Sequence, residues 1–287
     1  MTAVFRREFR SYFRGMLGYL IVALFLVAEG VLFTAQNLIL GSPSYEYTLW
    51  TFSPVLVILL PLLSMRSVAG DRRGHTDQLL ASLPLSAGEI VLGKFLATFS
   101  VFAIPTLIGG LYALLMCCFG KVNLLAAYAS LFAFLLLGAA LLAVCNFLSS
   151  LSRNQAIAAV IGIVALLALY LLSYLAQVLP ASPLVSFLIV VGLVVLVALA
   201  VLAATKKPIP ALVTAACGIL PAALVYALDQ GLYKNLAKHL LTYVSPFAWF
   251  DSFGQNLIFD LRGIVCLISM TGLFLFLTVL SVRNRRV

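Results

Sequence analysis

The sequence predicts an all-α integral membrane protein with about eight transmembrane helices, forming a single transmembrane domain over residues 1–287. Hydrophobic residues make up 64% of the chain and charged residues only 9%, against roughly 45–50% and about 25% in ordinary soluble domains. The mean hydropathy is +1.16. So few charges cannot cover a water-exposed surface, and a chain this apolar is not disordered. One span needs about 20 apolar residues, which leaves room for about eight spans and no sizeable soluble domain.

The first element is a basic amphipathic helix over residues 2–14. Phe5, Phe9, Tyr12 and Phe13 recur at helical spacing, and arginines occupy much of the remaining surface. This pattern favours an interfacial helix in the lipid headgroup region over a simple charged flank of the first span.

Eight apolar runs follow, and each is a candidate transmembrane helix. Pro54 and Pro61 interrupt the second run, which predicts a short or kinked helix there. The five cysteines lie inside apolar runs without a CxxC motif, so they are interpreted as buried apolar residues rather than metal ligands. The predicted spans are residues 16–36, 51–68, 95–119, 125–149, 156–177, 184–204, 208–228 and 261–282.

The basic residues predict the orientation in the membrane. With the N-terminus in the cytoplasm, eight spans leave four of the 18 lysines and arginines outside and therefore 14 inside. The four outer residues are Lys121, Lys234, Lys238 and Arg262. The positive-inside rule then predicts both termini in the cytoplasm of a multi-pass plasma or inner membrane protein. The net charge of +9 is assigned to this topology, and no nucleic-acid partner is expected.

The inner loop after the second span predicts a short helix within residues 71–84. Thr76 can cap this helix, Asp77 is favourable in its first turn, and Pro84 ends it. Its apolar side consists of Leu79, Leu80 and Leu83. Residues 86–89 then have the S-x-x-E spacing of a capping box that opens the next helix. The spacing fits both a helix that transmits force from a soluble partner and an ordinary loop with a capped helix start.

The outer segment, residues 229–260, is aromatic rather than charged. Ser245 can cap a short helix that begins with Pro246 and ends at Gly254. The segment fits a re-entrant or interfacial gate, and it also fits a plain aromatic belt at the membrane surface.

Glu29 is the acidic residue well inside a predicted span. A carboxylate at membrane depth costs roughly 2.5 kcal/mol or more and often marks function. Glu29 is therefore a candidate for lining a substrate pathway or, when protonated, for hydrogen bonding to a neighbouring helix. The alternative is a position near the outer interface, to which its carboxylate would extend.

The sequence lacks the motifs of an enzyme. Residues 88–94 fit G-x-x-x-x-G-K, but Phe95 stands where a P-loop needs Ser or Thr, and the stretch between the glycines is apolar. Neither HExxH nor GxSxG occurs, and there are two histidines in all. The chain is therefore predicted not to be an enzyme and to hold no cofactor or metal, which places its energy source outside the chain.

The inner loop also carries a resemblance to a known family. Residues 76–86, Thr-Asp-Gln-Leu-Leu-Ala-Ser-Leu-Pro-Leu-Ser, followed by Glu-Ile-Val-Leu-Gly-Lys-Phe at 89–95, resemble the loop between the second and third spans of ABC-2 type transporter permeases. The N-terminal helix and the inner turn 149–155 are similar to the same family. Residues 241–253 and the last span, with its basic end, resemble the gliding-motility (GldF-like) branch. His75 and Gln78 depart from the Gly and Glu that the family usually has there.

The resemblance implies the permease subunit of an ABC transporter, usually an exporter, driven by a separate cytoplasmic ATP-binding subunit. It implies pairing with a second copy or a paralogue, as a homodimer or heterodimer. ATP and Mg would be bound by the partner subunit. The residues implied for coupling to the ATPase are Thr76, Asp77, Gln78, Leu79, Leu80, Leu83, Pro84 and Arg153.

Two other functions stay open from the sequence. A secondary carrier would use Glu29 and need no ATPase, although ion-coupled carriers usually hold several charges within the membrane. A membrane scaffold or signalling protein would show no ATP-dependent flux. The substrate of a transporter is not specified by the sequence.

Overall fold

The computed structural model describes residues 2–67, 70, 86–118, 122–152, 154–178, 182–184, 186–188, 191–192, 226, 236–254 and 260–283. Contacts divide the chain into two compact units. One consists of Met1–Tyr170 with Pro246–Val287, and the other of Leu171–Ser245.

All the regular structure of the described residues is helical. A π-helical turn, Thr34–Ile39, continues the second helix, and a 3₁₀ turn, Ser53–Val55, joins the third and fourth. The helices are α1 (Thr2–Arg14), α2 (Met16–Phe33), α3 (Tyr45–Phe52), α4 (Leu56–Ser64), α5 (Ala87–Met116), α6 (Leu124–Leu151), α7 (Gln155–Val178), α8 (Leu236–Val244), α9 (Pro246–Gly254) and α10 (Leu261–Arg283).

Six helical segments in the described part of the chain are long and apolar enough to cross a membrane. They correspond to six of the eight predicted spans, and they confirm the all-α membrane fold. These segments are Met16–Ile39, Tyr45–Ser64, Ala87–Met116, Leu124–Leu151, Gln155–Leu175 and Leu261–Arg283. The predicted spans 184–204 and 208–228 lie largely outside the described residues, so the total of eight stays a prediction.

Two spans begin earlier than hydrophobicity alone predicts. The second was expected to start at residue 51 and the third at residue 95, whereas the helices begin at Tyr45 and Ala87. The start of α5 is fixed by a reciprocal capping box, in which the Glu89 N–H donates to Ser86 Oγ at 3.2 Å and the Ser86 N–H donates to the Glu89 carboxylate at 3.1 Å. Ser86 and Glu89 lie outside the apolar run, so hydrophobicity places the start of this span too late.

α6 is the central helix of the first unit, because it packs against α3, α4, α5, α9 and α10. Its middle is built from small residues, with Gly138, Ala139 and Ala140 buried. A Cβ on Gly138 would overlap the Phe102 ring of α5. The glycine therefore lets two membrane helices approach closely, which is how such helices gain packing without a hydrophobic driving force.

A cluster of buried phenylalanines joins these helices. Phe134 of α6 contacts Phe52 of α3, Phe102 of α5 and Phe250 of α9, with ring centroids 5.9, 6.1 and 5.6 Å apart. Phe25 of α2 meets Phe52 at 4.7 Å in an edge-to-face pair. These separations are in the range in which aromatic pairs attract one another. We call these five residues the phenylalanine cluster.

The described part of the outer segment 229–260 contains α8 and α9. The bounds of α9, Pro246–Gly254, are those predicted from the sequence. Within the first unit, Trp50 Nε1 donates to Asp251 Oδ1 at 2.7 Å, and Ser130 Oγ donates to the Phe253 carbonyl at 3.1 Å. The phenylalanines of α9 are therefore core residues of that unit. In the second unit, Phe187 and Tyr226 stack with centroids 4.7 Å apart.

The close approach at Gly138 predicts that an added methyl group destabilises the protein at this glycine but not at a glycine with open space around it. Gly138→Ala should lower the stability of the purified protein by about 1–3 kcal/mol, because the new methyl group displaces the packed Phe102 ring. Gly272→Ala in α10 is the matched control, since no atom of the described residues outside its own helix lies within 4 Å of a Cβ there and alanine favours a helix. Thermal unfolding in detergent measures both variants. Equal shifts in the unfolding temperature would contradict the packing account.

Candidate functional site

α1 is anchored to the membrane helices through one face. Val4, Glu8 and Tyr12, spaced four residues apart, are buried. The Tyr12 hydroxyl donates to the Leu63 carbonyl near the end of α4 at 2.9 Å. Tyr12 thus faces the protein, next to the partly buried Phe5, Phe9 and Phe13.

A close approach at one glycine allows the chain to turn sharply between α1 and α2. Gly15 is extended, with φ −92° and ψ 162°, and interrupts the helix. A Cβ on Gly18 would lie 2.6 Å from the Tyr12 carbonyl oxygen. The chain therefore folds α1 back closely over the first turn of α2.

A buried ion pair joins α1 to α5. The Lys94 ammonium donates to the Glu8 carboxylate at 3.0 Å and to the Ser67 carbonyl at 2.6 Å. Glu8 also accepts a hydrogen bond from Arg7 at 3.0 Å. Lys94 is 4% exposed, and a buried charge pair is tolerated only when its geometry is good and its other hydrogen bonds are satisfied. We call Glu8, Lys94 and Ser67 the junction.

The junction lies at both ends of the inner loop. Ser67 follows α4, and Lys94 lies in the second turn of α5, so their hydrogen bond brings together the two helices that flank residues 71–84. Gly70 lies beside the start of α7, because a Cβ on Gly70 would be 3.0 Å from Gln155 Nε2. Gly70, just before the inner loop, and Gln155, at the end of the turn 149–155, therefore lie side by side in the first unit.

The predicted ATPase-coupling residues themselves lie outside the described residues. This applies to the whole predicted helix 71–84 and to Arg153. Their roles stay predictions. The structure describes the residues on either side of them.

Glu29 is fully buried on α2, with 0% exposure. The Tyr45 hydroxyl of α3 donates to Glu29 Oε1 at 2.8 Å. On the other side, a Cβ on Gly109 of α5 would overlap the carboxylate. No described residue forms a hydrogen bond with Oε2. The side chain therefore bridges α2 and α3 against the backbone of α5, and a role in the substrate pathway stays a prediction.

A second set of hydrogen bonds, centred on Asn37, stabilises the connection between α2 and α3. Thr48 Oγ1 donates to Asn37 Oδ1 at 2.6 Å, while Asn37 Nδ2 donates to the carbonyls of Ser42 and Ser44 at 2.9 and 3.3 Å. Gly41, at φ +67°, supplies the left-handed turn between them. The π-helical turn that contains Asn37 places its amide at this corner.

Glu8, Tyr45 and Asn37 are not among the predicted site residues. Glu8 carried one usable signal, since it is acidic in a basic helix and shares a face with Val4 and Tyr12. Tyr45 and Asn37 have no such signal, because their partners are set by the fold of the α2–α3 connection.

The bridge at Glu29 predicts that Glu29→Gln is tolerated better than Glu29→Ala. Glutamine keeps an oxygen that accepts the Tyr45 hydroxyl, whereas alanine leaves a cavity and an unsatisfied buried hydroxyl. The alanine variant should lose about 2–5 kcal/mol of stability. Glu29→Ala should also cost less in a Tyr45→Phe background, because the hydroxyl is then gone. Thermal unfolding of the five proteins, namely the wild type, Glu29→Gln, Glu29→Ala, Tyr45→Phe and the Glu29→Ala/Tyr45→Phe double variant, measures this. Identical losses from Glu29→Ala in both backgrounds would rule out the bridge.

Comparison with known proteins agrees with this architecture. A family model described as "ABC-2 family transporter protein" matches residues 7–228. The chain is also 33% identical over 73 residues to the "Probable ABC transporter permease protein NosY" of Pseudomonas aeruginosa. That alignment covers 24% of this chain and 26% of the relative, so the chain spans about a quarter of the relative's length. Because the family model covers most of the chain and six described segments are candidate spans, the chain belongs to the ABC-2 transporter family, as a multi-pass membrane permease.

Proposed function

We propose that this chain is the pathway-forming permease subunit of an ABC exporter, driven by a separate cytoplasmic ATPase that docks on residues 71–84. Membership of the family supports the permease role. The docking element, Arg153 as a second contact and the direction of export follow from the resemblance of the inner loop and turn. Two copies, or one copy and a paralogue, would enclose the pathway in the plasma or inner membrane. ATP and Mg would be held by the ATPase and not by this chain.

The observation that carries the proposal is the junction of Glu8, Lys94 and Ser67. Its hydrogen bonds tie the end of α4, the start of α5 and the N-terminal helix α1 to one buried ammonium. A push on residues 71–84 would therefore act on three helices together. The capping box at Ser86 and Glu89 fixes the start of α5 within this arrangement.

Packing supplies a route from the junction to the rest of the first unit. α5 packs along α1, α2 and α6, and α6 in turn packs against α10. Tightly packed helices transmit displacements because their interiors are close to incompressible. A tilt of α5 at the junction would therefore change the packing around the phenylalanine cluster.

If residues 71–84 form the docking helix, truncating one of its apolar side chains should weaken ATPase binding. Leu80→Ala and Leu83→Ala should each lower affinity for the partner roughly 5- to 30-fold, because a buried interface anchor contributes about 1–2 kcal/mol. Co-purification with the partner ATPase, and stimulated ATP hydrolysis, measure the loss. Leu125→Ala is the matched control, being 83% exposed at the start of α6. If Leu79→Asp, Leu80→Asp and Leu83→Asp together leave ATPase binding intact, residues 71–84 are not the docking element.

The charge asymmetry predicts which positions an impermeant thiol reagent reaches from outside. In a variant without the native cysteines, single cysteines at Ser44 and Gln230 should be labelled, and one at Asn284 should not. Membranes opened with detergent serve as the control for reactivity at all three positions. External labelling at Asn284 without labelling at Ser44 would reverse the proposed orientation.

A further inference from the structure

α1 has three distinct faces, one of which is not used by the fold. The first holds the buried residues Val4, Glu8 and Tyr12. The second, beside it, holds the partly buried Phe5, Phe9 and Phe13. The third holds Arg6, Arg10 and Arg14, which are exposed and recur every four residues along the helix. We call this third face the arginine stripe.

The aromatic face runs directly onto a membrane span. Phe5 stacks on Phe9 with centroids 5.8 Å apart, Phe9 meets Phe13 at 5.0 Å, and Phe13 meets Tyr19 of α2 edge-on at 5.3 Å. Tyr19 is 61% exposed in a segment apolar enough to cross the membrane. The row of rings, in which Phe9 and Phe13 also pack partly against the core, therefore leads onto the lipid-facing surface of α2. A helix with phenylalanine on its apolar face and basic residues on its polar face lies at the depth of the headgroups.

The arginine stripe borders that lipid-facing row. Its neighbours on the exposed side of α1 are Thr2, Ala3 and Arg7. Within the described part of the chain, no acidic side chain pairs with Arg6, Arg10 or Arg14. Guanidinium groups bind phosphate oxygens with paired N–H donors.

We propose that Arg6, Arg10 and Arg14 bind the phosphate of an anionic phospholipid headgroup. The aromatic face sets the helix at headgroup depth, and the junction with Tyr12 holds it against the spans, so the stripe presents its charges where lipid phosphates lie. A lipid is favoured over an acidic protein partner because the stripe adjoins the row of rings that leads into the bilayer. The proposal is independent of ATPase docking.

The test measures lipid preference next to α1. The full chain, without its native cysteines, carries a fluorophore on a cysteine at Thr2 and is reconstituted in vesicles of phosphatidylcholine and phosphatidylglycerol. Each lipid is supplied in turn in brominated form, so that quenching reports which one contacts α1. The wild type should prefer phosphatidylglycerol at least about tenfold, since each basic residue at the surface contributes about fivefold. Raising the salt concentration should reduce the preference.

Removing the stripe should abolish that preference. Arg6→Gln, Arg10→Gln and Arg14→Gln together should bring it to within about twofold of equality, while Arg10→Gln alone, a milder change, should lower it about fivefold. Lys238→Gln, Arg262→Gln and Arg283→Gln remove the same charge from exposed positions elsewhere and should leave the preference unchanged. An unaltered preference in the stripe variant overturns the proposal. So does loss of ATPase capture with lipid preference intact, which would make the stripe a protein-docking surface.

Discussion

The ammonium of Lys94 is the constraint around which one end of the molecule is organised. A buried, unpaired charge costs several kcal/mol, so α5 requires an acidic partner and a carbonyl at this point. Glu8 and the Ser67 carbonyl supply them. To bring Glu8 there, α1 has to fold back over α2, which the extended Gly15 and the close approach at Gly18 allow. The position of α1 and the approach of Ser67 to Lys94 both depend on this one ammonium group.

Above the junction, the first unit is layered along its helices. On α5 the order is Lys94, then Phe102 of the phenylalanine cluster, then Gly109 against Glu29. The layer at the junction is ionic, the middle is aromatic and fully buried, and the far layer is built from the Glu29–Tyr45 hydrogen bond and the Asn37 corner. In each polar layer, α1 or α2 is joined to its neighbours by specific hydrogen bonds. In the aromatic layer, the helices are held together by the packing of their rings. Hydrogen bonds within a membrane add specificity to helix packing that is otherwise van der Waals contact.

Hydrophobicity and capping rules predict where the helices lie in the sequence, but they do not predict which side chains contact one another between helices. The run of apolar residues indicates each described span, and the S-x-x-E spacing identifies the capping box at Ser86, because both signals are local in sequence. The amphipathic pattern predicts the apolar side of α1, but it does not distinguish Tyr12, which is buried against protein, from Phe5, Phe9 and Phe13, which are partly buried. Glu29 is predicted because an acidic residue inside a span is rare. Its neighbours Tyr45 and Gly109 are not predicted, because they belong to other helices. The pairing of Glu8 with Lys94, 86 residues apart, depends on the tertiary fold and has no counterpart in local sequence.

The most direct test of the account is a double-mutant cycle between Glu8 and Lys94, measured in the complex with the proposed ATPase partner. The four proteins are the wild type, Glu8→Gln, Lys94→Met and the double variant, and the readouts are thermal unfolding and stimulated ATP hydrolysis. If the junction couples the inner loop to the spans, each single variant lowers both quantities, and the double variant is no worse than the worse single one, with a coupling of at least about 1–2 kcal/mol. Additive losses in stability, or normal stimulation of ATP hydrolysis in all four proteins, would contradict it.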